Sequence, residues 1–136
     1  MFLDRERILG GGFVFAVMPP STPVLVVIVI VLAVVNAVGE ELLWREVLDR
    51  TLGSGSSRAR YAVQAVTFGV AHWNGIPSGF FGVLASGVFS AGVCRVRDRT
   101  GLIGAIVVHV ATDLVIFGAV ARYAVFAWTG FTWTTS

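Results

Sequence analysis

The sequence predicts an all-α fold: an integral membrane bundle of about four core transmembrane helices behind a short N-terminal apolar segment. Three observations lead there. Of 136 residues, 56% are apolar and 13% charged, with a mean hydropathy of +0.84; a soluble domain carries about 25% charged residues. Apolar runs such as Val24–Val35 lie within segments that reach the roughly 20 residues a helical span needs. The charges gather at the ends of those segments. All ten basic residues are arginines, most of them in short clusters, which is a topology signal. The net charge of +2 therefore gives no reason to expect nucleic acid as a partner. One cysteine, Cys94, excludes an intrachain disulfide framework and a cysteine metal cluster, and suits a small buried apolar position.

The chain divides into an N-terminal segment (1–22), a helical domain (23–128) and an interfacial tail (129–136). Arg5 and Arg7 precede the apolar stretch Ile8–Met18, but Gly10–Gly12 interrupt it and no clear small-residue cleavage site follows. Pro19, Pro20 and Pro23 break the chain, and Pro23 suits the first turn of a new helix. That first helix is expected to run to about Leu52, with Glu41 and Arg45, and Glu46 and Arg50, each four apart and able to pair. Gly53–Ser57 reads as a connector. A second helix follows over about 58–73, ended by the turn signal Asn74-Gly75-Ile76-Pro77. A third covers about 78–96, where Gly82, Ser86 and Ser90 form a small-residue packing stripe. Arg95, Arg97, Asp98 and Arg99 read as a loop. The fourth helix starts near Thr100 and reaches at least Phe117, extending as far as Trp128, and Trp128, Phe131 and Trp133 read as an interfacial anchor. The two arginine-rich connections then share one side, the cytoplasmic one.

Adjacent carboxylates at Glu40 and Glu41 interrupt an apolar helix. Ionisable residues at membrane depth are rare, face the protein interior and mark function. At 1.5 Å per residue, Glu40 lies roughly 15 Å from Arg50, His72 roughly 18 Å from Arg60, and His109 and Asp113 roughly 15–21 Å from Arg99. Three helices thus present acid, imidazole and acid at one depth. His109 and Asp113 share a helix face, as do Phe68 and His72. Neighbouring helical positions point about 100° apart, so Glu40 and Glu41 cannot share one. Glu41 has the spacing for Arg45, which leaves Glu40 facing the site beside Asn36. Two histidines and a carboxylate in a partly dry cavity admit two chemistries. They can hold a Zn²⁺ with an open position at Glu40, His72 and His109, or a glutamate and a histidine can activate water as general base without metal. Either route hydrolyses a carbonyl compound, most simply a peptide bond.

The motifs EELLWR, FGVAH and HVATD, in that order on successive helices, resemble those of the CAAX-protease and bacteriocin-processing enzymes, also called the type II CAAX prenyl endopeptidase or Abi family. Together the three are specific; singly they are not. The resemblance spans about Asn36 to Phe117, and the chain corresponds to the family's four-helix core. It implies a multi-pass intramembrane endopeptidase of a prokaryotic cell membrane, acting on a membrane protein or peptide among membrane lipids. It further implies that Glu40 activates the attacking water with help from His72, and that His109 and Asp113 stabilise the oxyanion or help bind a metal. Phe68 and Asn36 support the motifs, and Glu41–Arg45 is a structural ion pair. Two positions depart from the family pattern. Asp113 stands where asparagine is usual, and an ionised aspartate accepts where an amide can donate. Glu46 stands where glycine is common, so the end of the first helix is expected to pack differently. Two further readings compete: a non-catalytic bacteriocin-immunity or partner-binding protein of the same fold, and a transporter fragment whose buried acids relay protons.

Overall fold

The structure is a computed structural model and describes residues 22–54 and 56–132. The expected N-terminal apolar segment and the aromatic tail anchor lie outside the residues whose side chains are described. Every regular element among the described residues is helical. The helix α1 (Thr22–Leu52) is 31 residues long with a mean hydropathy of 2.6 over its most apolar window. Gly53, at φ 65°, closes it. Ser56 then opens α2 (Ser57–Ala71), its Oγ accepting the Ala59 N–H at 3.3 Å. A cap of this kind contributes about 1 kcal/mol. With 15 residues α2 is roughly 22 Å long, short of the roughly 30 Å hydrocarbon layer.

The remaining helical stretch, Gly79–Thr132, is broken once, at Gly101 (φ 77°, ψ −177°). It forms two rods, α3 (79–100) and α4 (102–132). Their direction follows from what they touch. On α3, Ser90 meets Arg45 and Arg97 meets Asp49, so α3 runs parallel to α1. On α4, His109 meets Glu41 and Asp113 meets Asn36, so α4 runs back the other way. The four helices therefore alternate in direction around one core. Residues 95–99, expected as a loop, are instead the last turns of α3. Their side chains have partners there. Arg97 bridges Glu46 and Asp49, and Tyr61 donates to Asp98, so the reversal is left to a glycine that can adopt positive φ. The reversal is tight enough that a Cβ on Gly104 would overlap the Thr100 side chain.

α1 is not a uniform α-helix either. Its segment Leu42–Leu48 is π-helical, directly after the glutamate pair. The buried positions of α1 explain what this does. Ala33, Ala37, Glu41, Arg45 and Asp49 recur every four residues. In an α-helix a step of four overshoots a full turn by about 40°, so the stripe would wind off the core within a few turns. A π-turn, at about 4.4 residues per turn, rotates the stripe back.

The bundle is inverted relative to a soluble domain. Glu41, Arg45, Asp49, Gln64, Ser90, His109 and Asp113 are buried, while Val26, Val27, Leu32, Val35, Val66 and Val88 lie on the surface. Apolar outside and polar inside is the arrangement lipid permits. The second apolar window, within Gly79–Ala124, has a mean hydropathy of 2.1. Close approach of α2 to α3 depends on Gly69 and Gly87, whose added Cβ atoms would lie 2.5 Å from the Val83 oxygen and 3.1 Å from the Ala65 oxygen. The small-residue stripe expected to pack helices divides instead. Gly82 lies under the Pro77 carbonyl at the α2–α3 turn, and Ser90 holds Arg45.

Two glycines separate packing from propensity. Gly69→Ala should lower the melting temperature in detergent, by an overpacking cost of about 1–3 kcal/mol. Gly92→Ala, with open space around its Cβ, should leave it unchanged or raise it, since alanine gains about 1 kcal/mol over glycine in a helix. Equal effects from both would contradict the packing described.

Candidate active site

Four helices bring side chains to one level of the bundle: Asn36, Glu40, Glu41 and Arg45 from α1, Phe68 from α2 and His72 from its C-cap, Ser90 from α3, and His109 and Asp113 from α4. Glu41 is completely buried and serves two partners. One carboxylate oxygen, Oε1, lies 2.7 Å from His109 Nδ1, and Oε2 lies 3.2 Å from Arg45 Nε. The expected Glu41–Arg45 pair is present, and Glu41 also orients the histidine. Arg45, 1% exposed, donates from Nη2 to the backbone oxygen (3.2 Å) and Oγ (3.1 Å) of Ser90. Its guanidinium carbon lies 5.0 Å from the Phe68 ring centroid, within cation–π range.

Phe68 is the apolar hub of the site. It stacks on His72 with centroids 4.3 Å apart and meets His109 edge-on at 6.1 Å. Phe89 closes on His109 from another side at 5.0 Å. Both imidazoles are thereby fixed in plane, and their Nδ1 atoms fix the tautomer. His72 Nδ1 lies 2.8 Å from the Phe68 carbonyl, which can only accept, so Nδ1 carries the proton. His109 Nδ1 faces the Glu41 carboxylate in the same way. In the neutral rings each Nε2 is left as a lone-pair acceptor.

Glu40 faces those two Nε2 atoms. Its Oε1 lies 3.8 Å from His72 Nε2 and its Oε2 3.4 Å from His109 Nε2. These separations exceed a good direct hydrogen bond and suit groups bridged by a third atom. Oε2 is buried without a hydrogen-bond partner among the described residues. Asp113 closes the ring, with Oδ1 3.7 Å from His109 Nε2 and Oδ2 accepting from Asn36 Nδ2 at 3.0 Å. Asn36 was expected beside Glu40; its hydrogen bond runs to Asp113 on α4. Seven ionisable or amide side chains singled out in the sequence (Asn36, Glu40, Glu41, Arg45, His72, His109 and Asp113) are thus brought together.

A divalent cation is the group such a donor set would hold. The donor chemistry fits: two imidazoles with Nδ1–H anchored on oxygen acceptors, and one carboxylate with an orphaned buried oxygen. As the side chains stand, no three His, Cys, Asp or Glu groups among the described residues are arranged at once to ligate one.

Three contributors escaped the sequence reading: Ser90, placed there only in the packing stripe, and Phe89 and Asp49, which it did not single out. Asp49 accepts from Arg60 (2.8 Å), Gln64 (2.8 Å) and Arg97 (3.2 Å), tying α1, α2 and α3 together at the arginine-rich end. The every-fourth recurrence of Ala33, Ala37, Glu41, Arg45 and Asp49 was the one available signal for it.

An apolar cleft of about 410 Å³ lies between α1 and α4, lined by Leu25, Val29, Ile30, Leu114 and Gly118, with Arg122 at one end. Of its lining residues, Leu114 follows Asp113 directly in the sequence, and Ile30 precedes Asn36 on α1.

A sequence model of the family described as Type II CAAX prenyl endopeptidase Rce1-like matches residues 22–115, which contain every site residue above. No curated protein and no solved structure matches the chain.

Removing one partner of a buried charged pair strands the other. Glu41→Ala should destabilise the protein by about 3–5 kcal/mol in detergent unfolding, and Glu41→Leu combined with Arg45→Leu by clearly less than the sum of the single changes. Additive losses would mean that the two side chains are not coupled.

Proposed function

The chain belongs to the Type II CAAX prenyl endopeptidase Rce1-like family, a family of integral membrane proteases, and we propose that it is an intramembrane endopeptidase in which Glu40 and His72 activate the attacking water. The observation that carries this reading is the position of the Glu40 carboxylate, 3.8 Å from His72 Nε2 and 3.4 Å from His109 Nε2. A water between Glu40 and His72 donates its protons to two acceptors. As it attacks the scissile carbonyl, Glu40 takes one proton and passes it to the leaving amine. His72 orients the water through Nε2, because its Nδ1–H is committed to Phe68. Glu41 and Arg45 hold His109 and α1 in place without touching the substrate. A Zn²⁺ held by Glu40, His72 and His109 would add Lewis acidity and a more acidic bound water.

In the membrane α1, α3 and α4 cross the bilayer, and the shorter α2 carries His72 from the arginine-rich end to mid-depth. The family's substrate class, proteins with a CAAX-type terminus, is the first to test.

With purified protein in proteoliposomes and a fluorogenic peptide that the wild type cleaves, Glu40→Gln and His72→Ala should each lower kcat by about 10²–10⁴, the range for loss of a general base. Both variants should remain monodisperse. Wild-type turnover by either folded variant would eliminate the mechanism.

A further inference from the structure

We propose that Asn36 is a catalytic residue: its side-chain amide donates to the carbonyl oxygen as that oxygen becomes an oxyanion, and Asp113 aims it. The inference rests on the hydrolysis proposed above and assigns the donor that such a reaction needs. Acyl transfer is accelerated most by fixed hydrogen-bond donors placed where negative charge develops. The site has few donors to offer. Both imidazoles commit Nδ1–H to Phe68 and Glu41, so their neutral rings present only acceptors. The carboxylates of Glu40 and Asp113 also only accept when ionised. Arg45 directs Nε to Glu41 and Nη2 to Ser90, and its unpaired Nη1 is buried, the residue being 1% exposed.

Asn36 is the exception. It is half-buried, four residues before Glu40 on the same face of α1, and so stands beside the water-activating carboxylate. One N–H goes to Asp113 Oδ2 at 3.0 Å. A carboxylate can be met only by the nitrogen side of the amide, which fixes the amide's orientation and leaves its second N–H for a ligand. Asp113 is itself held opposite His109 Nε2 at 3.7 Å. The pair thus joins α1 to α4. In the step itself the water oxygen bonds to the carbonyl carbon and the C=O π pair moves onto oxygen. Glu40 takes the water proton, and the amide stabilises the oxyanion without giving up a proton. Collapse expels the amine with the proton from Glu40.

The test uses the full chain in proteoliposomes, with a fluorogenic peptide cleaved by the wild type and the phosphinate analogue of that peptide. Asn36→Ala and the isosteric Asn36→Asp should lower kcat about 10²–10³-fold, the loss seen when one oxyanion donor is removed, with KM within about threefold. Phosphinate affinity should fall by a similar factor, because the analogue carries the tetrahedral oxyanion. Wild-type kcat in Asn36→Ala, or a change in KM alone, overturns the assignment. Failure of the wild type to cleave any peptide would instead remove the hydrolytic reading on which it rests.

Discussion

Glu41 holds a histidine with one carboxylate oxygen and an arginine with the other, and it does so without any exposure to solvent. A buried carboxylate is tolerated only when its charge is matched. Meeting that condition draws Arg45 inward as an ion-pair partner, and Arg45 in turn needs the Ser90 oxygens and the Phe68 face. His109 is fixed on its Nδ1 side, which turns Nε2 towards Glu40 and Asp113. Helices α1, α3 and α4 are thus joined through Glu41 and Arg45, with the Phe68 ring of α2 packed against the assembly.

The backbone has adjusted to allow it. A stripe of buried residues at every fourth position cannot stay on one face of a regular α-helix, and the π-turn at Leu42–Leu48 returns it to the core. Glu41, Arg45 and Asp49 are the polar members of that stripe, so the turn serves both the site and the Asp49 cluster at the arginine-rich end. π-turns frequently accompany functional sites. Here the reason is geometric: three charged residues from one helix must all face inward. Away from the arginine-rich end, the surface left outside is largely apolar, which suits lipid.

Much of the site was legible in the sequence, because charge inside an apolar segment has few explanations. Depth counted from the arginine clusters placed Glu40, His72, His109 and Asp113 at one level, and the structure brings them within a few ångströms. The helix order and the Glu41–Arg45 pairing followed from spacing alone. Other features were hidden for physical reasons. Arginines usually mark a membrane boundary, so residues 95–99 read as a loop, yet their partners on α1 and α2 keep them helical until Gly101. Serine in a small-residue stripe looks like packing filler, and only the position of Arg45 reveals Ser90 as an acceptor. The Asn36–Asp113 hydrogen bond joins residues 77 positions apart, and no local pattern announces it.

The central claim is that Glu40 activates water for peptide-bond cleavage within the membrane. It is met most directly by comparing new protein N-termini in membranes that express the wild type or Glu40→Gln at matched levels. Termini that appear with the wild type and vanish with Glu40→Gln are the predicted result, and they would name the substrates at the same time. Identical termini in both, with both proteins folded, would contradict it.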